Sequence, residues 1–225
     1  MNSLLSILSD HWDDLLRGAA YTASLSLVSI VLGIFVGLTL CFGLISVNPV
    51  IRIASKIYRS IWRGTPLLIQ LLIIFYFLPM VGIGVPPLAA AVIALTMNTA
   101  AFQAEIYRGG LTAIPRGQVE AARMLGISTF TIRKNILVPQ MFRLVLPSLV
   151  NETISILKNS SLISVIAVTE LLRTSQQVVA TTYRPFEVYF LAMLMFLIMT
   201  VSLAALGRYF ERHLGKSEKK LAHAV

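Results

Sequence analysis

An all-α integral membrane domain is the fold class this sequence predicts, with five transmembrane helices, a cytoplasmic loop of two short helices, the N-terminus outside and the C-terminus inside. Three observations predict it. Of the residues, 56% are hydrophobic and 13% charged, with a mean hydropathy of +0.80. That leaves too little polar surface to coat a globule in water, whereas a bilayer accepts apolar side chains outward. Three runs, 18–51, 64–104 and 188–207, contain no charged residue. The Lys and Arg residues cluster between those runs. One membrane domain, 1–225, is the expected unit.

A helix rising about 1.5 Å per residue needs roughly 20 residues to cross the hydrocarbon. The first run places a span at about 19–47. The second, 41 residues long, holds two crossings, at about 64–81 and 87–107. They are separated by Val81-Gly82-Ile83-Gly84-Val85-Pro86-Pro87, whose glycines and prolines form a short hairpin connection. A fourth span, about 142–163, carries Glu152 and Lys158 within its apolar length, and a fifth covers about 188–209.

Orientation follows from the basic residues, because positive juxtamembrane side chains are retained in the cytoplasm. With these spans, fifteen Lys and Arg fall on one side, among them Arg52, Lys56, Arg59, Arg63, Arg108 and Arg116, while Arg17, Arg173 and Arg184 fall on the other. The same sorting accounts for the net charge of +9 without nucleic acid as a partner. The basic tail, 216–220, is expected in solvent or near anionic lipid. At the opposite end Asp10, Asp13 and Asp14 do not resemble the basic start of a signal peptide, so the first span is expected to stay attached.

Other chemistries find little support. Cys41 is the single cysteine, and His11, His213 and His223 have no ligand spacing, so no metal site is expected. No phosphate-cradling loop is present, so no cofactor is expected on this chain and any ATP must be hydrolysed by a partner. A small membrane enzyme such as a lipid acyltransferase is the rival class. It needs a nucleophile or acid–base cluster, and the acids here are scattered.

The polar loop at about 115–139 is the most constraining segment. Ile114-Pro115-Arg116-Gly117 breaks the third helix, Gln118 to Leu125 are good helix formers, and Gly126 supplies a stop. A second short helix is expected from an N-cap at Ser128 to about Leu137, ending before Pro139. Small Ala121 and Ala122, apolar Val119, Met124 and Leu125, and polar Glu120 and Arg123 suit a knob in another protein's socket. An amphipathic helix resting on lipid headgroups is the other reading of the same pattern.

Glu120-Ala121-Ala122, three residues, Gly126, nine residues, Ile136, one residue, then Val138-Pro139 resembles the coupling-loop signature of the permease subunits of ATP-binding-cassette importers, with Val138 where the pattern has Leu. Three further stretches resemble the polar amino acid branch of that family, which carries histidine, glutamine, glutamate, arginine or opines: Ile61-Trp62-Arg63-Gly64-Thr65-Pro66-Leu67-Leu68-Ile69-Gln70, Asn98 to Gly110, and Leu157-Lys158-Asn159-Ser160-Ser161-Leu162. The resemblance runs from about residue 19 to 212. It implies a multi-pass permease of the bacterial inner membrane that pairs with a second permease subunit, identical or homologous. It further implies two ATPase subunits holding ATP and Mg, a periplasmic or lipid-anchored binding protein, and import of an amino acid by alternating access. ATPase docking then falls on Gln118, Glu120, Ala121, Ala122, Arg123, Leu125 and Gly126.

Intramembrane polar residues are costly and usually face a cavity or a partner. On a helix, Asn151, Glu152, Ser155, Lys158 and Asn159 fall within an arc of roughly 120°. Glu152 suits an ammonium, and Lys158 or Asn159 a carboxylate. Alternatively, Lys158 snorkels to the interface and Glu152 pairs with a basic residue of a neighbouring helix. Asn98 is a further candidate for the same cavity, Glu105 is expected to pair with Arg108, and Gln103 points elsewhere. Gly33 and Gly37 form a step that permits close helix packing, within the subunit or between copies.

Overall fold

The computed structural model describes residues 2–222, with side chains described at 7 and from 9 to 213. The side chains of the basic tail, 216–220, and His223 therefore lie outside the described residues. Everything described is helix or connection, with no strand among the described residues. The helices are α1 (Asn2–Leu44), α2 (Pro49–Gly64), α3 (Leu67–Met80), α4 (Pro87–Ala113), α5 (Arg116–Met124), the single turn α6 (Thr129–Thr131), α7 (Val138–Asn159), α8 (Leu171–Thr182) and α9 (Pro185–Ala222).

Three of them, Ser9–Leu44 within α1, Pro87–Ala113 and Pro185–His213 within α9, are long and apolar enough to cross a bilayer. Two bent pairs pass the same test, α2 with α3 at 108° and Thr129–Ile166 with α8 at 50°. A backbone without water must satisfy its own polar groups, which is why the charge-free runs form helices.

The helix α4 is the axis of the fold. In its most apolar stretch 61% is buried, against 28% for α1 and 11% for α9. Ala90, Ala91, Ala94, Ala100, Ala101 and Ala104 are buried along it, and these small side chains let neighbouring backbones come close. The Gly33–Gly37 step of α1 packs here, within the subunit. A Cβ on Gly33 would lie 2.5 Å from the Thr99 methyl, and one on Gly37 3.0 Å from the Ala100 carbonyl. Two apolar clusters flank this contact: Leu25, Leu67, Leu71, Leu95 and Ile163 towards one end, and Cys41, Leu44, Tyr107, Met141 and Val145 towards the other.

The structure departs from the sequence expectation in three places. The stretch expected as a basic loop before the second span is helical, and the span expected at 64–81 is the 14-residue α3, sharply broken from α2. Asn48 caps α2, its Oδ1 accepting from Val50 N at 2.9 Å, and Pro49 occupies the first turn, where a missing N–H costs nothing. Pro66 then holds Thr65 extended (φ −123°, ψ 150°) and ends the helix.

Second, Ser128 caps the second short helix as expected, with Thr131 N donating to its Oγ at 3.2 Å, but the helix does not stop before Pro139. A π-wound segment, Ile132–Leu137, leads directly into α7, where Pro139 sits in the first turn. Third, the loop between the last two expected spans contains α8. It begins at a left-handed turn at Ala167 (φ 61°) and is capped by Glu170.

Candidate functional site

Glu152 lies near the middle of α7, half-buried against α4. Its Oε1 accepts a hydrogen bond from the Thr99 hydroxyl at 2.9 Å. Thr99 in turn accepts from Gln103 Nε2 at 3.2 Å, and Gln103 Oε1 accepts from the Tyr107 hydroxyl at 2.9 Å. Gln103 Nε2 also faces the Ile30 carbonyl of α1 at 3.5 Å. Thr99, Gln103 and Tyr107 are almost fully buried, so this line of polar groups is sealed within the subunit except where it ends at Glu152.

The end of α2 reaches the same place. The exposed Arg63 guanidinium sits 5.1 Å from the centre of the Phe102 ring, and its charge acts on Glu152. Arg63 and the Phe102 ring thus lie beside the break in the α2–α3 pair, within electrostatic range of Glu152. A guanidinium on an aromatic face keeps its N–H edge free for an acceptor. The combination has the donor and acceptor content that a zwitterion requires.

The remaining predicted site residues divide. Asn98, one turn from Phe102, is buried and donates from Nδ2 to Gln70 Oε1 at 2.9 Å and to the Trp62 carbonyl at 3.3 Å. Its amide is committed to holding the helix break. Asn151 is exposed, Ser155 is half-buried and returns its hydroxyl to the Asn151 carbonyl at 3.0 Å, and Asn159 is half-buried at the last turn of α7. Lys158 is exposed, one to two turns beyond Glu152.

Glu105 pairs with Arg108 as the spacing suggests, at 2.8 Å, and with Arg59 of α2 at 2.6 Å. This anchors α2 to α4 away from Glu152. Gln103, expected to point elsewhere, instead joins the line to Glu152, and Arg63, Gln70, Thr99, Tyr107 and Glu170 are polar residues to which the sequence alone gives no role. Glu170 is fully buried, accepts from Leu172 N and Arg173 N at 2.9 and 2.7 Å, and so holds the start of α8 against α1. Arg63 and Gln70 lie in the stretch 61–70 that carries the family resemblance, and two polar groups so close to a Gly-Thr-Pro break are the available signal.

At the far end of the fold from α8, α5 and the turn after it stand out from the surface. Gln118, Glu120, Ala121, Arg123, Leu125 and Gly126 are exposed, and Met124, Leu125 and Phe130 present 89%, 80% and 73% of their surface. Ala122 is the exception: it is buried, and its small side chain serves packing within the chain. The helix stops in a Schellman turn, Gly126 (φ 73°) donating to Arg123 O at 2.9 Å and Ile127 N to Ala122 O at 3.1 Å. Gln140 Nε2 donates to Gln118 Oε1 at 2.7 Å and ties the element to the base of α7.

A cavity of about 370 Å³ is lined by His11, Asp14, Arg17, Thr174 and Gln177 beside α8, well removed from Glu152.

The model of binding-protein-dependent transport system inner membrane components matches residues 29–216. The chain is 37% identical over 206 residues to the arginine transport system permease protein ArtQ of Bacillus subtilis, covering 91% of this chain and 94% of that protein. It is 34% identical to the putative glutamine transport system permease protein GlnP of Rickettsia typhi, over 88% and 91% of the two chains. To the histidine/lysine/arginine/ornithine transport system permease protein HisM of Escherichia coli K12 it is also 34% identical, over 93% and 95%. Among solved structures, a chain of an amino acid ABC transporter crystallised with histidines superposes with a TM-score of 0.86 at 34% identity, over 93% of this chain and 98% of that one. A chain of the inward-facing MetNI methionine ABC transporter shares the fold at a TM-score of 0.79 and 22% identity, over 91% and 97%.

Proposed function

The chain belongs to the family of binding-protein-dependent transport system inner membrane components and is the permease subunit of an ABC transporter that moves amino acids; from that premise we propose how it does so. The substrate is a polar L-amino acid, in keeping with the arginine, glutamine and histidine systems named among the relatives. The chain crosses the bacterial inner membrane five times, the two bent helix pairs each counting as one span, with the N-terminus outside and the C-terminus inside. The excess of basic residues about α2, α5 and α7 supports that orientation.

Two permease subunits face each other across a shared path, and a binding protein delivers substrate from outside. This chain carries no catalytic residues. ATP and Mg are held by two partner ATPases, which engage Gln118, Glu120, Ala121, Arg123, Leu125 and Gly126. Their closure moves the element at Arg116–Met124, and through the Gln118–Gln140 bond the base of α7, so that the path opens alternately to the two sides.

The single observation that carries the substrate reading is a half-buried carboxyl, Glu152, bonded to Thr99 and within electrostatic range of Arg63. Transporters place substrate near the bilayer midplane at interrupted helices, and the α2–α3 break packs on Asn98, in the middle of α4. Glu152 accepts the substrate ammonium and Arg63 its carboxylate, with Asn151, Ser155, Lys158 and Asn159 lining the same helix outward. A charge-assisted hydrogen bond contributes about 1.5–3 kcal/mol, so its loss costs on the order of 10- to 100-fold in affinity. The test is uptake of radiolabelled L-arginine, L-histidine and L-glutamine by the complete transporter in proteoliposomes. Glu152→Gln raises KM by that factor or abolishes uptake, and an unchanged KM overturns the assignment.

A further inference from the structure

We propose that Gln103 is a positioning residue for substrate recognition: with Tyr107 behind it, it turns the Thr99 hydroxyl onto Glu152 and leaves the second carboxylate oxygen to a cationic group of the substrate. The inference rests on Glu152 as the ammonium site and adds how that site is set.

The direction of every bond in the line is determined by its partners. The Ile30 carbonyl can only accept, so the amide edge of Gln103 facing α1 is Nε2 and its oxygen faces Tyr107. The Tyr107 phenol, facing that oxygen, must donate. Thr99 receives the Gln103 amide hydrogen on its oxygen, and its own hydrogen is then directed to Glu152 Oε1. Three donors in series end on one carboxylate oxygen, each polarising the next.

Such a line needs an acceptor at its end, and the Glu152 carboxyl supplies it. The Thr99 bond falls on Oε1 and Oε2 keeps both its acceptor sites, so a ligand group that meets it must be a donor. The buried end is anchored by Tyr107 against Phe142, whose ring centroid lies 5.3 Å away. None of Thr99, Gln103 or Tyr107 offers surface to a ligand, so any effect of theirs on substrate affinity is indirect.

The experiment uses the complete transporter with its binding protein in proteoliposomes, and as probe whichever of L-arginine, L-histidine and L-glutamine the wild-type complex takes up fastest. Thr99→Val keeps the side-chain shape and removes the donor, Thr99→Ser restores it, and Gln103→Leu removes the group that directs it. Thr99→Val and Gln103→Leu are expected to raise KM about tenfold, the effect of one hydrogen bond to a charged group, with Vmax within about twofold of wild type. Thr99→Ser recovers the wild-type KM. In a Glu152→Gln background Gln103→Leu adds nothing further. If Gln103→Leu is not recovered in membranes, the Thr99 pair decides. Wild-type KM in Thr99→Val, alongside a raised KM in Glu152→Gln, overturns the positioning role and leaves the Glu152 site standing. Wild-type KM in Glu152→Gln removes both.

Discussion

Asn98 Nδ2 donates to Gln70 Oε1 across 2.9 Å, and this bond joins the middle of α4 to the first turn of α3. Gln70 Nε2 in turn reaches the Trp62 and Thr65 carbonyls at 2.9 and 3.0 Å, the groups freed where α2 ends. A broken helix in an apolar setting is tolerated only where side chains take over the lost backbone bonds, and these two amides do so. Tyr58 adds a bond from its hydroxyl to the Met97 carbonyl at 2.8 Å.

Asn98→Leu therefore acts on stability. Removing the amide leaves Gln70 Oε1 without its donor, and a buried unsatisfied polar group costs about 1–3 kcal/mol. The expected outcome is a lower midpoint of thermal unfolding in detergent, with the KM of the surviving complex unchanged. A raised KM at wild-type stability would return Asn98 to the substrate path.

Glu170 makes a parallel prediction at the start of α8. Both its oxygens cap backbone N–H groups, and Thr22 Oγ accepts from the next one, Leu171 N, at 3.1 Å. Glu170→Ala removes the cap at a cost of about 1–2 kcal/mol. The check is hydrogen exchange at the amides of Leu172 and Arg173, which should accelerate ahead of those in α4. Thr22→Val removes the acceptor for Leu171 N and a longer bond to Glu170 Oε2, and should have a smaller effect.

The all-helical fold was legible because lipid allows few alternatives: an apolar run of sufficient length must be helix. Legibility failed where tertiary partners decided. Arg52, Lys56, Arg59 and Arg63 read as a loop because they are charged, yet their spacing of four, three and four is helical, and Val50, Ile53 and Ile57 form the opposite, exposed face. Glu152 stood out as an intramembrane charge, but nothing in the sequence pairs it with Thr99, 53 positions away. Asn98 is as polar and as deep in the chain's apolar length, and its nearness to Gln70 exists only once α3 packs on α4. In the coupling element the small residues Ala121 and Ala122 look equivalent, and only packing shows that one faces out and the other in.

Gly109 and Gly110 are adjacent in α4 and should respond oppositely to the same substitution. A Cβ at Gly109 meets nothing within 4 Å, whereas one at Gly110 would overlap the Val145 side chain and crowd Met141. Gly109→Ala is expected to stabilise by about 0.5–1 kcal/mol through lost chain entropy. Gly110→Ala is expected to destabilise by about 1–3 kcal/mol, the cost of overpacking. Unfolding midpoints of the two purified variants give the comparison directly. Equal shifts would mean that α7 does not pack on this turn of α4.

The coupling element allows its fold and its docking to be separated. Gly126 needs its left-handed conformation, so Gly126→Val strains the turn by about 1–2 kcal/mol and disturbs the path of Phe130 and everything after it. Glu120 is exposed on α5, and Glu120→Arg should leave the unfolding midpoint of the isolated permease in place. Both variants are expected to lose ATPase in a mild-detergent co-purification, but for different reasons: only Gly126→Val should also speed proteolysis within Arg116–Met124. If Glu120→Arg retains the ATPase and full transport, docking does not use that side of the helix. The contact would then fall on the apolar tip made by Met124, Leu125 and Phe130, where Leu125→Asp should abolish association while leaving the turn intact.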